Sequence, residues 1–427
     1  MRIESPREME RFGANLFYGV QKVFELDSGL ERDMKAGPDG IVKPLSYERL
    51  NAIEKDMVIV VPMKGEQIKL VQGVLYGIPH PCLVIVVSNS PREPVDRFAI
   101  EREAINNYCQ YTKNNIVVVH QKDPWMAEAF KEAGYTDLLG KDGLVKNGKA
   151  EGMIMGTLLA RLTGRKYLGF IDADNYFPGA VLEYVRLYAA GFALSRSDYA
   201  MVRIAWHSKP KIVDSELFFA KYGRTSVVTN QFLNDLLSRY TGFETDVLRT
   251  GNAGEHALTI DLAGVLRYAS GYAVEPYHLI NLLEKFGGVI ERLSRDEVKR
   301  VVEVFQIESR NPHLHAEKGK EHVEQMIFAA LKVIYHSPVT PEAVKKDILR
   351  ELRGRKLIGK KDDVPEGVYY PPLAQINLAA FADKVKERPY ARAFDWDSFK
   401  GKRTAVKTSG KATPTNGKAA RSKTKAK

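Results

Sequence analysis

The chain is predicted to adopt an α/β fold built on a mostly parallel, Rossmann-like sheet flanked by helices. Two observations predict it. Four short apolar runs rich in β-branched residues, Met57–Met63, Leu83–Ser88, Asn115–His120 and Lys166–Asp174, lack polar alternation. Strands covered on both faces read this way. Helical patterns separate them at Glu66–Gly77, Val95–Thr112, Pro124–Gly134 and Ala150–Leu162. Strands alternating with helices imply right-handed crossovers and parallel pairing.

The first fifty residues read as irregular, with GPDG at Gly37–Gly40 as a turn. After Asp174, Pro178–Leu194 is a helix with Pro in its first turn. Tyr199–Trp206 reads as a strand, and Thr229–Tyr240, His256–Leu262, Tyr277–Phe286 and Glu317–His336 read as helices. Val301–Ser309 reads as a further strand, and residues 340–395 as helices broken by Pro. The expected organisation is an α/β domain over 1–206, a more helical lobe over 207–396 and a tail over 397–427.

Composition narrows the functional classes. The net charge of +11 suggests nucleic acid until it is located. Residues 401–427 hold nine Lys or Arg and no acid, leaving 55 basic against 53 acidic residues elsewhere. The tail is rich in Lys, Thr, Ser, Gly and Ala and cannot bury a core, so it is read as a disordered, solubilising extension with no specific nucleic-acid role. No apolar run is long enough for a membrane span. The N-terminal MRIESPREMERFG lacks an apolar signal-type core. Cys82 and Cys109 have no CxxC spacing, which points to a reduced, cytoplasmic setting.

The sharpest chemical signal is Asp172-Ala173-Asp174, directly after a buried strand. In extended chain, residues i and i+2 point the same way, so both carboxylates converge. Like charges held close repel unless a cation sits between them, and such oxygens suit Mg²⁺ or Mn²⁺ on a diphosphate. The competing reading is a pair of loop or helix-capping carboxylates before Pro178. Arg310-Asn311-Pro312-His313-Leu314-His315 places two imidazoles on one side of an extended chain, as metal ligands or as surface histidines in a turn.

Five further loops suit anions or sugars. Lys146–Met153 brings Lys149 and two glycines to a helix start, a diphosphate cradle without P-loop spacing. Tyr222–Ser226 offers Gly223, Arg224 and Thr225 for a phosphate or carboxylate. Gly251–Ala257 sets Glu255 and His256 behind two glycines, where both can meet sugar hydroxyls. Pro62-Met63-Lys64-Gly65-Glu66 and Ser88-Asn89-Ser90 close the first two strands, where α/β proteins bind ligands. Each of these loops is also readable as an ordinary turn or cap.

Taken in order, VVPMKGE, GKAEGM, FIDADNY, YGRTS, GNAGEHA and RNPHLH resemble the mannosyl-3-phosphoglycerate synthase family, over roughly residues 1–395. The resemblance implies the A-type glycosyltransferase fold with an acceptor-binding C-terminal lobe. It implies GDP-mannose as donor, 3-phosphoglycerate as acceptor, and mannosyl-3-phosphoglycerate and GDP as products, the first step of synthesis of the compatible solute mannosylglycerate. It further implies that Pro62, Lys64 and Glu66 hold the guanosine with Ser88 nearby, that Lys149 meets the diphosphate, and that Asp172 binds donor sugar or ribose. Asp174 and His315 would hold a divalent metal, with Mg²⁺ the leading choice and Mn²⁺ or Co²⁺ alternatives. Gly223, Arg224 and Thr225 would take the acceptor, Glu255 and His256 would line the mannose pocket, and Asp172, Asp174, Lys149 and Glu255 would form the catalytic set. A homodimer is compatible with the family.

The family retains anomeric configuration. No evident nucleophile is present, so same-face attack is favoured, with a diphosphate oxygen taking the acceptor proton. A glucosyl-3-phosphoglycerate synthase is the alternative reading. A sugar-phosphate nucleotidyltransferase is disfavoured because PMKGE replaces the expected glycine-rich loop.

Overall fold

A computed structural model describes residues 1–26, 29, 41–175, 177–213, 215–220, 223–290, 300–315 and 319–394. The turn expected at Gly37–Gly40, Tyr222 and the basic tail lie outside the described residues.

The centre is one mixed, largely parallel sheet. Its strands are β1 (Met9–Phe12), β2 (Asn15–Gln21), β3 (Met57–Met63), β4 (Leu83–Ser88), β5 (Ile116–His120), β6 (Tyr167–Phe170), β7 (Tyr199–Ala205), β8 (His256–Thr259) and β9 (Val302–Glu308). Across the sheet the order is β1-β2-β9-β7-β8-β6-β3-β4-β5. The run β6-β3-β4-β5 is parallel throughout, as the four apolar runs predict. β8 enters antiparallel between β7 and β6. Segments on both sides of residue 206 therefore contribute strands to the same sheet.

Unalternating strands are explained by burial on both faces. In β3, Val58 and Val60 pack into one core, with Met153 and Leu158 of helix Lys149–Arg161. Ile59 and Val61 pack into the other, with Val181 and Tyr188 of helix Pro178–Leu194. Helix Lys149–Arg161 is buried along nearly its whole length, which is why its apolar pattern shows no clean polar stripe.

Two expectations are corrected. His256–Leu262 is not one helix: His256–Thr259 is a strand, and only Ile260–Val265 is helical. A short, fully buried apolar run has no period that separates the two structures, and ladder bonds to β6 and β7 decide for strand. The described residues among the first fifty are not all irregular, for they supply β1, β2 and three short strands, Arg2–Glu4, Val23–Glu25 and Val42–Pro44. β2 alternates buried and half-buried residues, but its buried positions include Asn15 and Gln21. Asn15 Nδ2 donates to the Phe12 and Leu282 carbonyls at 3.1 and 3.0 Å. Gln21 Nε2 donates to the Glu4 carbonyl at 2.6 Å. Polar side chains held inside the core through their amide nitrogens conceal the period-two signal.

Candidate active site

Asp172, Asp174, Lys149, Glu255 and the Lys64–Glu66 turn lie where β3, β6 and β8 meet. The chain leaves β6 into Asp172 and Asp174. Facing them is Lys149, the first residue of its helix, whose Nζ lies 2.7 Å from Asp172 Oδ1 and 2.7 Å from Glu275 Oε1. Burial alone would push the ammonium pKa down, but Asp172 and Glu275 outweigh it and hold the pKa well above its ordinary value. Glu275, buried in helix Val274–Phe286, is a site residue that sequence reasoning missed. No local motif marks it, since its partner is 126 positions away in the chain. The loop before Lys149 is pinned by Gln121, whose Nε2 donates to the Lys146 and Gly148 carbonyls at 2.6 and 3.2 Å. Gly148 offers the helix no side-chain cap, so first-turn N–H groups are available to an anion.

Glu255 ends the glycine loop entering β8 and is fully buried. Asn175 Nδ2 donates to Glu255 Oε1 at 2.9 Å and to the Asp172 carbonyl at 2.8 Å, tying the two loops together. Glu255 Oε2 has no hydrogen-bond partner among the described residues. Burial, reinforced by the Asp172 charge, raises the Glu255 pKa to about 7, with Asn175 and Lys149 opposing. A buried carboxylate oxygen left unpaired is costly, and a hydroxyl-bearing ligand would satisfy it. Gly254 forms the close wall: a Cβ there would stand 2.6 Å from Asp172 Oδ2 and 3.2 Å from Lys149 Nζ.

His256 lies behind this wall. Its ring is buried against Phe170 and His278, and Nδ1 sits 3.1 and 3.0 Å from the Ala253 and Gly254 carbonyls. Burial, then the nearby Arg203 charge, lowers its pKa well below the ordinary value, so it supports the loop as a neutral donor. Arg203, paired across the ladder with His256, is also fully buried. Its Nε and Nη2 donate to the Thr250 carbonyl at 3.0 and 2.7 Å.

At the end of β3, Pro62 is half-buried and Lys64 exposed. The Lys64 N–H donates to Glu66 Oε2 at 2.5 Å. Burial raises the Glu66 pKa, and Asp174 and Asp172 raise it further, so these three carboxyls share one field. Ser88 differs from its neighbours: it is fully buried and its hydroxyl donates to Glu101 Oε2 at 2.7 Å. Ser90 Oγ donates to Glu101 Oε1 at 2.6 Å and accepts from the Gly65 N–H at 2.7 Å. Ser90 therefore braces the Lys64–Glu66 turn from beneath, and Ser88 helps to hold the Glu101 carboxylate that anchors it.

On the opposite side, Gly223 caps helix Arg224–Thr241, again without a side-chain cap. Thr225 is buried and Arg224 exposed. A Cβ on Gly223 would lie 3.4 Å from Lys209 Nζ. Lys209 rests over the Trp206 ring at 4.0 Å and its charge reaches Glu255. Sequence reasoning missed it because it sits in a hairpin, Lys209–Ala220, with no motif around it. Trp206 stacks on His313 at 4.4 Å, and the His315 ring is 4.9 Å from that of His313. Tyr184 Oη lies 3.3 Å from His313 Nδ1.

Among the described residues, no cluster of three or more His, Cys, Asp or Glu is arranged to hold a metal. The acidic field of Asp172, Asp174 and Glu66 nevertheless fits a hard divalent cation, because a positive charge there relieves the repulsion that adds to burial in raising Glu66. Protein ligands would then be few, leaving coordination positions for diphosphate oxygens.

A cation-compatible acidic turn, a lysine at a helix start and a polar wall where β3, β6 and β8 meet are compatible with a glycosyltransferase. The family model described as mannosyl-3-phosphoglycerate synthase matches residues 5–385. The mannosyl-3-phosphoglycerate synthase of Pyrococcus furiosus is 43% identical over 388 residues, 90% of this chain and 97% of that protein. That of Aeropyrum pernix is 37% identical over 387 residues, 91% and 98% respectively. The chain belongs to the mannosyl-3-phosphoglycerate synthase family. Among solved structures, glucosyl-3-phosphoglycerate synthase from Mycobacterium tuberculosis with Mn²⁺, UDP and phosphoglyceric acid is 16% identical. That match covers 76% of this chain and 94% of that one, at a TM-score of 0.44. The same protein with UDP gives 16%, 78%, 96% and 0.46. No helix among the described residues is long and apolar enough to cross a membrane.

Proposed function

We propose that the protein transfers mannose from GDP-mannose to 3-phosphoglycerate with retention, giving mannosyl-3-phosphoglycerate and GDP. The observation that carries the reading is Lys149, locked between Asp172 and Glu275 at 2.7 Å from each, beside the unpaired Glu255 Oε2. Residues 1–206 would bind the nucleotide sugar and residues 207–396 would complete the acceptor side.

The guanosine lies against Pro62, Lys64 and Glu66, over a turn braced by Ser90 and Glu101. Lys149 and the uncapped turn behind it face the diphosphate and stabilise the negative charge that develops as GDP departs. Asp174 and His315 are the side chains that would hold a divalent cation, which when bound acts as a Lewis acid on the leaving diphosphate. Asp172, oriented by Lys149, accepts a donor hydroxyl. Glu255 Oε2 accepts a hydroxyl of the mannose, and Asn175 keeps the carboxylate aimed. Gly254 lets the sugar approach the backbone, with His256 and Arg203 holding the loop from behind. Gly223, Arg224 and Thr225, joined by Lys209, receive the charged ends of the acceptor. Same-face attack, in which a diphosphate oxygen takes the acceptor hydroxyl's proton, is the retaining course we assign.

The test is product formation from GDP-mannose and 3-phosphoglycerate, with GDP-glucose and UDP-glucose as competing donors, with and without EDTA. Mannosyl product that EDTA abolishes is expected. Preference for a glucose donor would overturn the reading.

A further inference from the structure

The turn that carries His315 is fastened by a residue with no place in the chemistry above. Glu183 lies in helix Pro178–Leu194 and is 2% exposed. Its carboxylate accepts three hydrogen bonds from the histidine turn: from the Arg310 N–H at 2.5 Å, from the Asn311 N–H at 2.9 Å and from Asn311 Nδ2 at 2.7 Å. The Arg310 guanidinium turns elsewhere, donating to the Phe24 carbonyl at 3.2 Å. Glu183 is therefore a buried carboxylate recruited to grip backbone, an arrangement whose desolvation cost is offset only while all three donors stay in place. The next residue, Tyr184, meets His313 at 3.3 Å.

The helix carrying both residues begins at Pro178, four positions after Asp174. One rigid element thus starts at the aspartate turn and clasps the histidine turn. Other contacts hold the histidine turn to β7 and β9: the His313 N–H donates to the Ser208 carbonyl and Ser309 Oγ to the Asn311 carbonyl, both at 2.9 Å. Glu183 ties it to the helix that follows Asp174.

We propose that Glu183 is a positioning residue that sets the His315 turn relative to Asp174 and thereby tunes divalent-metal affinity. This rests on the reading of Asp174 and His315 as the metal-holding pair. Groups that orient a ligand from behind typically change metal affinity by about 10–100-fold when removed.

The test measures Mn²⁺ binding to the full chain in the presence of GDP, by electron paramagnetic resonance, for wild type, E183Q, N311A, H315A and E183Q/H315A. Thermal melting serves as the folding check. A glutamine presents an amide to one of the backbone donors, so E183Q is expected to raise the Mn²⁺ Kd by at least about tenfold, with GDP affinity in EDTA unchanged. N311A, which removes only one of the three donors, shifts the Kd in the same direction by less and carries the test if E183Q does not fold. The double variant matches H315A within about twofold, because Glu183 acts through the histidine turn. If H315A weakens Mn²⁺ binding but E183Q and N311A do not, or if the E183Q and H315A effects multiply, the proposal is overturned while the metal pair stands. If wild type does not bind Mn²⁺ with GDP, or H315A binds it as well as wild type, the metal pair itself fails and the proposal falls with it.

Discussion

Replacing Glu255 with glutamine separates the demands of folding from those of function. The Glu255 pKa in the folded protein is about 7, against an ordinary value of 4.5, with burial the main cause. Between those values the folded state holds a proton that the unfolded state has lost. Stability from this group is therefore fully present below pH ~4.5 and lost as pH rises through ~7. A gap of about 2.5 pH units corresponds to about 3.5 kcal/mol at about 1.4 kcal/mol per unit, an upper bound because Lys149 and Asp172 respond to the lost charge. Glutamine keeps the oxygen that accepts from Asn175 and removes the buried charge. E255Q is thus expected to be more stable than wild type at pH 8, by up to about 3.5 kcal/mol, with most of the advantage gone by pH 5. With an unfolding entropy of about 2 cal/mol/K per residue, the melting temperature rises by roughly 4 °C at pH 8. Calorimetry of both proteins at pH 5 and pH 8 is the assay, with mannosyl transfer expected to fall sharply in E255Q. A variant no more stable at pH 8, or equally stabilised at both pH values, would refute the burial argument.

Other consequences are as direct. K149M removes the fixed charge proposed to face the diphosphate, and kcat is expected to drop by about 10²–10³-fold in a product assay, with donor KM less affected. G254A places a Cβ 2.6 Å from Asp172 Oδ2; kcat/KM should fall at least about tenfold while the melting temperature barely moves, since the loop is displaced and not unfolded. R203L strips the Thr250 carbonyl of two buried hydrogen bonds, and urea titration should show a loss of about 2–4 kcal/mol. Wild-type transfer should show an acidic limb near pH 7, as Glu255 gains a proton and its Oε2 stops accepting freely; E255Q should lack that limb in whatever activity it retains.

Much of the frame was legible because burial on both faces writes itself into local composition. Met57–Met63, Leu83–Ser88 and Pro178–Leu194 have the bounds their residue patterns predict. Asp172, Lys149 and Glu255 stood out because each lies at or next to a strand or helix end, and the structure brings all three together.

What only the tertiary structure decided is pairing at a distance. That HALT at residues 256–259 is a strand depends on β6 and β7 offering ladder partners on both sides. That Glu275 shares Lys149, that Lys209 reaches Gly223, and that Glu183 clasps Arg310 and Asn311 depends on contacts between segments far apart in the chain. Periodicity and turn chemistry report how a segment meets its surroundings and say nothing of which segment those surroundings are. The partner of a buried charge is chosen when the sheet closes, because only then does losing water force each charge to find one.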